Sequence, residues 1–378
     1  MIYLDYQSTT PLDPRVYLEM KPFLEDWYGN PHAIIHVEGL RAKKAIDKAL
    51  SKIAVALKVR DDEIIFTSGA TESNNLAILG LRDALKAQNK THLVTQATEH
   101  ACVLECFSQM ERDGFDVTYL PVTKEGLVDI DEFESSLTEQ TGLVSIMAVN
   151  NEIGVIQPLD RLCKITKAKN IVFHCDASQA IGRIHLDIAG WGIDLLSISG
   201  HKIYGPKGIG ALIVGKGIQK SIRPIIHGGG QQHGLRSGTL PTPLCLGLGE
   251  AVKLAEGERE KEHEMTSNLN AALVDALSQT GLEYSVNGSQ QYRIPGNLNV
   301  SFKDVKNEDL IEAVETLCIS SGSACSTEKP QHSHVIKALG VKQNILEGAL
   351  RISFGRFSTR EEIEEAVRLL LHTIKRMA

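Results

Sequence analysis

The chain has 378 residues, of which 42% are hydrophobic and 23% charged, and its formal net charge at pH 7 is −7. This composition excludes a disordered chain, and no apolar run is long enough to span a membrane. Because phosphate binding needs concentrated Lys and Arg, the negative charge argues against direct nucleic-acid binding. The length favours a large domain joined to a smaller one.

The cysteines also limit the class of protein. They are odd in number and contain no Cys-x-x-Cys pair, which argues against a disulfide framework or a structural zinc and predicts a cytoplasmic location. The first residues, Met1 to Tyr6, have neither a basic n-region nor an apolar h-region, so we expect no export signal. The seven cysteines are Cys102, Cys106, Cys163, Cys175, Cys245, Cys318 and Cys325.

In chain order, residues 1–20 are predicted to be an extended lead-in, with Pro11 and Pro14 interrupting any early helix. The first long helical pattern spans Leu40 to Leu57. Seven short apolar runs follow, most of them separated by helix-sized segments, and they predict a mainly parallel sheet buried on both faces. These runs are 64–66, 92–94, 117–120, 143–149, 171–173, 195–198 and 211–214.

After a Gly- and His-rich loop at 227–233, a long polar helix is predicted from about Pro243 to Leu277. It leads into a smaller α/β region, whose last helix is expected to open with a capping box, Ser358-x-x-Glu361. We therefore predict a large domain over 15–250, with 1–14 and 251–378 forming the small domain.

Polar residues follow several of the apolar runs, at the sheet edge where ligands bind in such folds. Lys202 stands where a run ends and a glycine-rich turn begins, and partial burial there would free its amine as a base or Schiff-base nucleophile. The segment from Gly69 to Thr71 offers a phosphate site at a helix start, or only a capped helix. Asp176 needs a cationic partner, either an arginine or a protonated pyridine nitrogen.

Taken together, the phosphate cup, His100, Asp176 and a Ser-x-His-Lys stretch form a far more specific pattern than any one of them. The pattern resembles fold-type I pyridoxal-phosphate enzymes of the class V aminotransferase branch, and within it the cysteine desulfurases of the NifS/IscS type. The resemblance is carried by Tyr3 to Pro11, Gly69 to Ser73, Asn150 to Gly154, Asp176 to Gln179, Ser199 to Lys202, Arg236 to Pro241, and Ser321 to Cys325.

The resemblance implies a cofactor, pyridoxal 5′-phosphate, and a role for each matching residue. Lys202 would carry the cofactor and move the substrate Cα proton, and Asp176 would keep the pyridine nitrogen protonated. His100 would stack on the ring and act as acid or base. Gln179 would hydrogen-bond the phenolic oxygen of the cofactor. Arg351, assisted by Asn151, would bind the substrate carboxylate. The phosphate would be held by Gly69, Ala70, Thr71, Ser199 and His201, together with Thr239 from the other subunit of a homodimer.

Cys325 separates the reactions known in this branch. Its neighbours are small and polar, so we expect a loop that can move and present a nucleophilic thiolate, whereas the other six cysteines are expected to be buried apolar residues. His332 stands where the family usually has proline. The resemblance thus implies that L-cysteine becomes L-alanine and that Cys325 takes the sulfur as a persulfide.

Two kinds of alternative stay open at this stage. One is another class V activity, a selenocysteine lyase or an aminotransferase, in which Cys325 would be incidental. The other is a non-catalytic scaffold that binds sulfur-transfer partners. The sulfur acceptor carries no readable signature, and iron–sulfur assembly, tRNA thiolation and DNA phosphorothioation all draw on enzymes of this kind.

Overall fold

The structure is a computed structural model, and it describes residues 1–321 and 333–377. Its strands lie in a two-stranded, a three-stranded and a seven-stranded sheet. In chain order the strands are β1 Ile2–Tyr3, β2 Ile64–Thr67, β3 His92–Gln96, β4 Asp116–Leu120, β5 Thr141–Ser145, β6 Val172–Asp176, β7 Leu195–Ser199, β8 Gly210–Val214, β9 Tyr284–Val286, β10 Asn297–Phe302, β11 Leu317–Cys318 and β12 Ala349–Ser353.

Helices separate most of these strands. Among the described residues they are α1 Pro14–Glu25, α2 Val37–Leu57, α3 Ala70–Leu79, α4 Arg82–Ala87, α5 Ala101–Arg112, α6 Ile130–Ser136, α7 Leu159–Ala168, α8 Ile188–Trp191, α9 Thr242–Gly257, α10 Arg259–Gln279, α11 Asn307–Ala313, α12 His334–Ala338, α13 Gln343–Glu347 and α14 Arg360–Met377. Short 3-10 helices lie at Asp61–Glu63, Gly200–Lys202, Gln219–Ser221 and Gln232–Gly234.

The seven-stranded sheet has the order β2-β8-β7-β6-β5-β3-β4. Each of the seven predicted apolar runs forms one of its strands. Only β8 runs antiparallel, against both β2 and β7, and the other pairs are parallel. The prediction of a mainly parallel α/β sheet is therefore confirmed.

Both faces of this sheet are covered by helices. Neighbouring residues of β5 show it: Leu143 packs into one apolar cluster and Val144 into another. The cluster around Leu143 includes Leu76 of α3 and Phe107 of α5, and the cluster around Val144 includes Ile53 of α2. Burial on both faces explains why these strands are continuous apolar runs.

The smaller domain is built differently. Its sheet has the order β12-β10-β9 and is antiparallel. One face is apolar, where Leu298 and Val300 pack with Leu273 of α10 and Leu370 of α14. Strand β1 pairs in parallel with β11, so the start of the chain joins this part of the molecule.

Three local expectations prove wrong. Helix α1 begins at Pro14 itself, because a proline at the first helical position gives up an amide that needs no intrahelical partner. The long polar helix is two helices, α9 and α10, that meet at Glu258. The capping box of α14 is formed by Thr359 and Glu362, one residue later than expected, through reciprocal backbone-to-side-chain bonds of 3.0 and 3.3 Å.

Across the described residues, we find no helix that is both long and apolar enough to cross a membrane.

Candidate active site

A cavity of about 570 Å³ lies beyond the carboxyl ends of the parallel strands. It is the place where such folds bind ligands. Most of the predicted site residues meet there, contributed by segments that are far apart in the sequence. The predicted residues that line it are Gly69, Ala70, Thr71, His100, Asn151, Asp176, Gln179, Ser199, His201, Lys202 and Arg351.

Lys202 ends the 3-10 turn that follows β7. Its Nζ donates to the backbone carbonyls of Gln7, at 2.6 Å, and of Ser8, at 2.7 Å. Both carbonyls belong to the segment after β1, which lines the cavity. The first residues of the chain therefore help to hold the candidate nucleophile in place.

Asp176 is the last residue of β6 and is buried. Its Oδ2 accepts from Asn74 Nδ2 at 2.7 Å and its Oδ1 accepts from the Ser178 amide at 2.9 Å. These amide donors stabilise the carboxylate without neutralising its charge. It can therefore pair with a cation that enters the cavity.

A cup for an anion lies at the start of α3. Gly69 has φ +151, a conformation that favours glycine, and an added Cβ would come within 3.9 Å of Ser199 Oγ. The helix start supplies unpaired amide hydrogens and a positive dipole end. His201 also lines this part, and burial, aided by Lys202 and Lys207, lowers its pKa to about 4, so it is neutral at pH 7.

Gln179 is oriented by a residue that the sequence reasoning missed. Arg183 NH1 donates to Gln179 Oε1 at 2.6 Å, which leaves the amide Nε2 as a donor, and that Nε2 donates to the carbonyl of Gln7 at 2.9 Å. Arg183 NH2 also donates to the carbonyl of Lys202 at 3.0 Å.

Arg351, in β12, is buried on the cavity side of the small domain. It donates to Asp5 Oδ1 at 2.6 Å, to Ser8 Oγ at 2.8 Å and to the carbonyl of Asn151 at 2.7 Å. Its Nε and the Oδ1 of Asn151 are buried without a hydrogen-bond partner within the described part of the chain. Such atoms are costly unless a polar ligand satisfies them.

His100 is the residue that caps α5, and its Nδ1 accepts from the Cys102 amide at 3.2 Å. Burial lowers the pKa of His100, with Lys202 and His334 adding to the effect and Asp176 opposing it. Cys102 lines the cavity as well. Cys102 and Cys318 are only partly buried, so the expectation of a buried apolar residue is wrong for these two cysteines and is confirmed for Cys106, Cys163, Cys175 and Cys245.

Two predicted residues lie elsewhere. Thr239 is exposed and does not line the cavity of its own chain. Cys325 lies outside the described residues, in the gap between 321 and 333. Their roles stay predictions.

Comparison with known proteins gives consistent matches over nearly the whole chain. A family model described as aminotransferase class-V matches residues 2–366. "Cysteine desulfurase IscS" of Rickettsia bellii (strain OSU 85-389) is 46% identical over 376 residues, which cover 100% of this chain and 92% of that protein. Among solved structures, a NifS-like protein has 35% identity and a TM-score of 0.92, covering 99% of both chains.

A second solved structure, SspA in complex with cysteine, has 37% identity and a TM-score of 0.84, and the match covers 95% of this chain and 100% of that chain. Both structures share the α/β architecture described above. The cavity of the present chain therefore lies in a fold already known to hold cysteine in a related protein.

Proposed function

Because the chain belongs to the aminotransferase class-V family, whose members depend on pyridoxal 5′-phosphate, we propose that it is a cysteine desulfurase. It has the α/β fold of type I pyridoxal-phosphate enzymes, with a large domain and a smaller carboxyl-terminal one. The observation that carries the proposal is the cavity itself, which unites Lys202 from the turn after β7, Asp176 from β6 and Arg351 from β12. The similarity to a relative named cysteine desulfurase IscS supports L-cysteine as the substrate.

The residues of the cavity fit the cofactor. Asp176 offers a carboxylate to a protonated pyridine nitrogen, and the start of α3 offers amides to a phosphate. Ser178 Oγ, on the cavity wall, is buried without a hydrogen-bond partner within the described residues, as expected of a site that takes a polar ligand. When bound, the cofactor acts as an electron sink that stabilises a carbanion at the substrate Cα and weakens the Cβ–S bond.

Lys202 and Arg351 divide the handling of the substrate. Arg351 binds the substrate carboxylate with its buried Nε–H, and Asn151 lies beside it in the wall. Lys202 Nζ takes up the Cα proton and returns a proton when alanine forms. Gln179, kept as a donor by Arg183, would donate to the phenolic oxygen of the cofactor.

The sulfur step belongs to Cys325. Its thiolate forms an S–S bond to the substrate sulfur while the Cβ–S bond breaks, and the electron pair of that bond stays on the Cβ. Protonation there completes L-alanine, and Cys325 keeps the sulfur as a persulfide for transfer to an acceptor protein. One cysteine and one enzyme thiol thus give one alanine and one persulfide.

Replacement of the thiol tests this proposal. We expect Cys325→Ser to bind cysteine but to lose persulfide formation and sulfur transfer, whereas Cys318→Ser, in β11, keeps both. Sulfide, persulfide and alanine are measured together. Sulfur transfer by Cys325→Ser at the native rate would refute the proposal. Formation of alanine from selenocysteine without need of Cys325 would favour a selenocysteine lyase. Formation of a keto acid would favour an aminotransferase.

The scaffold alternative has its own test. A catalytic protein that carries the cofactor on Lys202 is yellow and is bleached by borohydride, which then attaches the cofactor to that lysine. A colourless full-length protein that binds no cofactor would favour the scaffold.

Homodimer formation is part of the proposal. Large apolar side chains are exposed along one stretch near the amino terminus, and exposed patches of this kind mark interaction surfaces. Thr239 would then reach the phosphate of the other subunit. We expect Ile35→Glu to shift the mass measured by light scattering towards the monomer. The exposed fractions are 64% for Leu18, 90% for Tyr28, 57% for Ile34, 93% for Ile35 and 69% for Val37.

We also propose that the large domain spans 15–250 and the small domain 1–14 and 251–378. The small-domain cluster supports this division, since it contains both Leu4 and Leu269. The cytoplasmic location and the identity of the acceptor stay predictions.

A further inference from the structure

Cys102 holds a place in the cavity wall that the proposed reaction does not use. Its Sγ lies 3.0 Å from His100 Nδ1 and 3.1 Å from Asn74 Nδ2. The same Asn74 Nδ2 donates to Asp176 at 2.7 Å. A continuous chain of contacts therefore joins Asp176 to His100 through Asn74 and Cys102.

The backbone fixes which nitrogen of His100 carries the proton. The Cys102 amide is 3.2 Å from His100 Nδ1, and an amide N–H can only donate. Nδ1 must therefore present its lone pair, and a neutral imidazole that does so carries its proton on Nε2. Protonation of Nδ1 would place two N–H groups against each other and remove the cap of α5.

The thiol acts in the same direction as the amide. Burial, with Asp176 adding to it, raises the pKa of Cys102 to about 12, so the sulfur keeps its proton at neutral pH. One N–H of Asn74 is directed to Asp176 and the other to Sγ, so the S–H of Cys102 is left to share the single lone pair of His100 Nδ1 with the Cys102 amide. In this series of hydrogen bonds, every donor points away from Asn74, towards Asp176 on one side and towards His100 on the other.

We propose that Cys102 is a positioning residue that, together with its own amide, holds His100 as the neutral tautomer with the proton on Nε2. His100 then meets cofactor and substrate as a hydrogen-bond donor, and it does not serve as a base that becomes imidazolium during turnover. The charged and titratable groups that face it are Asp176 from β6, Lys202 from the turn after β7 and His334 from α12. Within the described residues, Nε2 has no hydrogen-bond partner that would compete for this proton.

This inference deepens the proposed function, since it assigns the manner in which His100 acts in that same site. Its first test is independent of turnover. Histidine labelled with 15N is followed by NMR in the cofactor-loaded and the cofactor-stripped full-length protein, and His100→Ala identifies the signal. We expect the neutral Nε2–H tautomer from pH 6 to pH 9. An Nδ1–H tautomer, or imidazolium at pH 7, would overturn the inference.

The second test separates the thiol from the backbone amide. Cys102→Ala keeps the backbone amide and loses the S–H donor, so the pH midpoint of the His100 titration should rise by about half to one pH unit. Cys102→Ser supplies an O–H donor and should return the midpoint to its parental value. Cys106→Ala is the matched control, because Cys106 is buried on the same helix but does not line the cavity. It should leave the titration unchanged.

The acid side of the pH profile for kcat/KM should shift with the titration in Cys102→Ala and return in Cys102→Ser. Identical titration of His100 in Cys102→Ala and the parent protein would show that the thiol has no positioning role. Failure of the proposed function looks different: Cys325→Ser would still transfer sulfur, while the tautomer of His100 stayed as proposed.

Discussion

The two principal sheets of this molecule bury their faces in opposite ways. In the seven-stranded sheet both faces are apolar, so Leu143 and its neighbour Val144 enter different apolar clusters. In the three-stranded sheet Leu298 and Val300 face helices, but the alternate residues Asn297 and Asn299 are buried and hydrogen-bonded to the large domain. The seven-stranded sheet is therefore apolar on both faces, whereas the three-stranded sheet presents a polar face to the large domain.

The polar face is also where the small domain contributes to the cavity. Arg351 of β12 pairs with Asn299 of β10 in the sheet, and both lie on that face. The carbonyl of Glu152 accepts from Asn297 Nδ2 at 3.1 Å and from Asn299 Nδ2 at 3.2 Å. The arginine can be buried here because the carboxylate of Asp5, the hydroxyl of Ser8 and the carbonyl of Asn151 accept its hydrogen bonds.

The largest expected effect is on stability, and it tests whether the apolar faces of the two sheets are equivalent. Leu143→Ala and Leu298→Ala should each lower the free energy of unfolding by about 2–5 kcal/mol, because both remove buried apolar volume. Urea unfolding of the folded full-length protein measures it. A loss below about 1 kcal/mol at either site would show that the two apolar faces are not equivalent.

The next largest effect is a loss of activity, and it compares the polar and the apolar face of β12. Arg351→Gln should lower kcat/KM for L-cysteine about 100-fold, since about 2.7 kcal/mol is a modest value for losing a buried charged contact to the substrate. Ile352→Val, on the opposite face of the same strand, should keep near-parental activity at a cost of about 0.5–1.5 kcal/mol in stability. Arg351→Gln with activity within threefold of the parent would contradict the assignment of Arg351.

A smaller effect is expected at Asn299, which is fully buried. Its Oδ1 accepts from Asn287 Nδ2 at 2.8 Å and its Nδ2 donates to the carbonyl of Glu152. Asn299→Ala should lower the free energy of unfolding by about 1–3 kcal/mol, because it removes two buried hydrogen bonds, although Glu152 and Asn287 each keep one other partner. The exposed Asn268→Ala of α10 serves as the control and should change stability by less than about 0.5 kcal/mol. Equal effects at the two positions would mean that the polar face does not stabilise the fold.

A pH dependence of stability is expected from Glu99, which follows β3 of the large sheet. Burial raises the pKa of the Glu99 carboxyl from 4.5 to about 8, so between these values the folded protein holds a proton that the unfolded chain releases. The free energy of unfolding therefore falls as pH rises through this window. Glu99→Gln should reduce the fall between pH 6 and pH 9, measured by thermal unfolding. The exposed Glu134→Gln is the control, and equal pH dependence in both variants would exclude Glu99 as the cause.

The difference between the sheets also explains what the sequence could predict. Continuous apolar runs identify strands that are buried on both faces, and all seven were found. The run from Asn297 to Phe302 alternates polar and apolar residues with a period of two, which is the pattern of a strand with one apolar and one polar face. The two-residue strand β1 has no such signal, because its partner β11 lies at the other end of the chain.

The site residues could likewise be predicted where a sequence pattern marks them. Residues that follow predicted strands, such as Asp176 and Lys202, are expected to lie together because parallel strands end at one edge, and both line the cavity. Cys102 was not expected there, since a single cysteine on an amphipathic helix looks like any buried residue. Arg183 was missed because its role is to fix the amide of Gln179, which depends on three-dimensional contact.

The pairing of Ile2 with Leu317 has a consequence for how the molecule is made. The large sheet can assemble while the chain is still being synthesised, since all its strands lie between Ile64 and Val214. The first residues must wait until the strand at Leu317–Cys318 has been synthesised, and such distant pairing is slow. Gln7 and Ser8, which hold Lys202, follow β1 directly. Lys202 therefore gains these two hydrogen bonds after this distant pairing has formed.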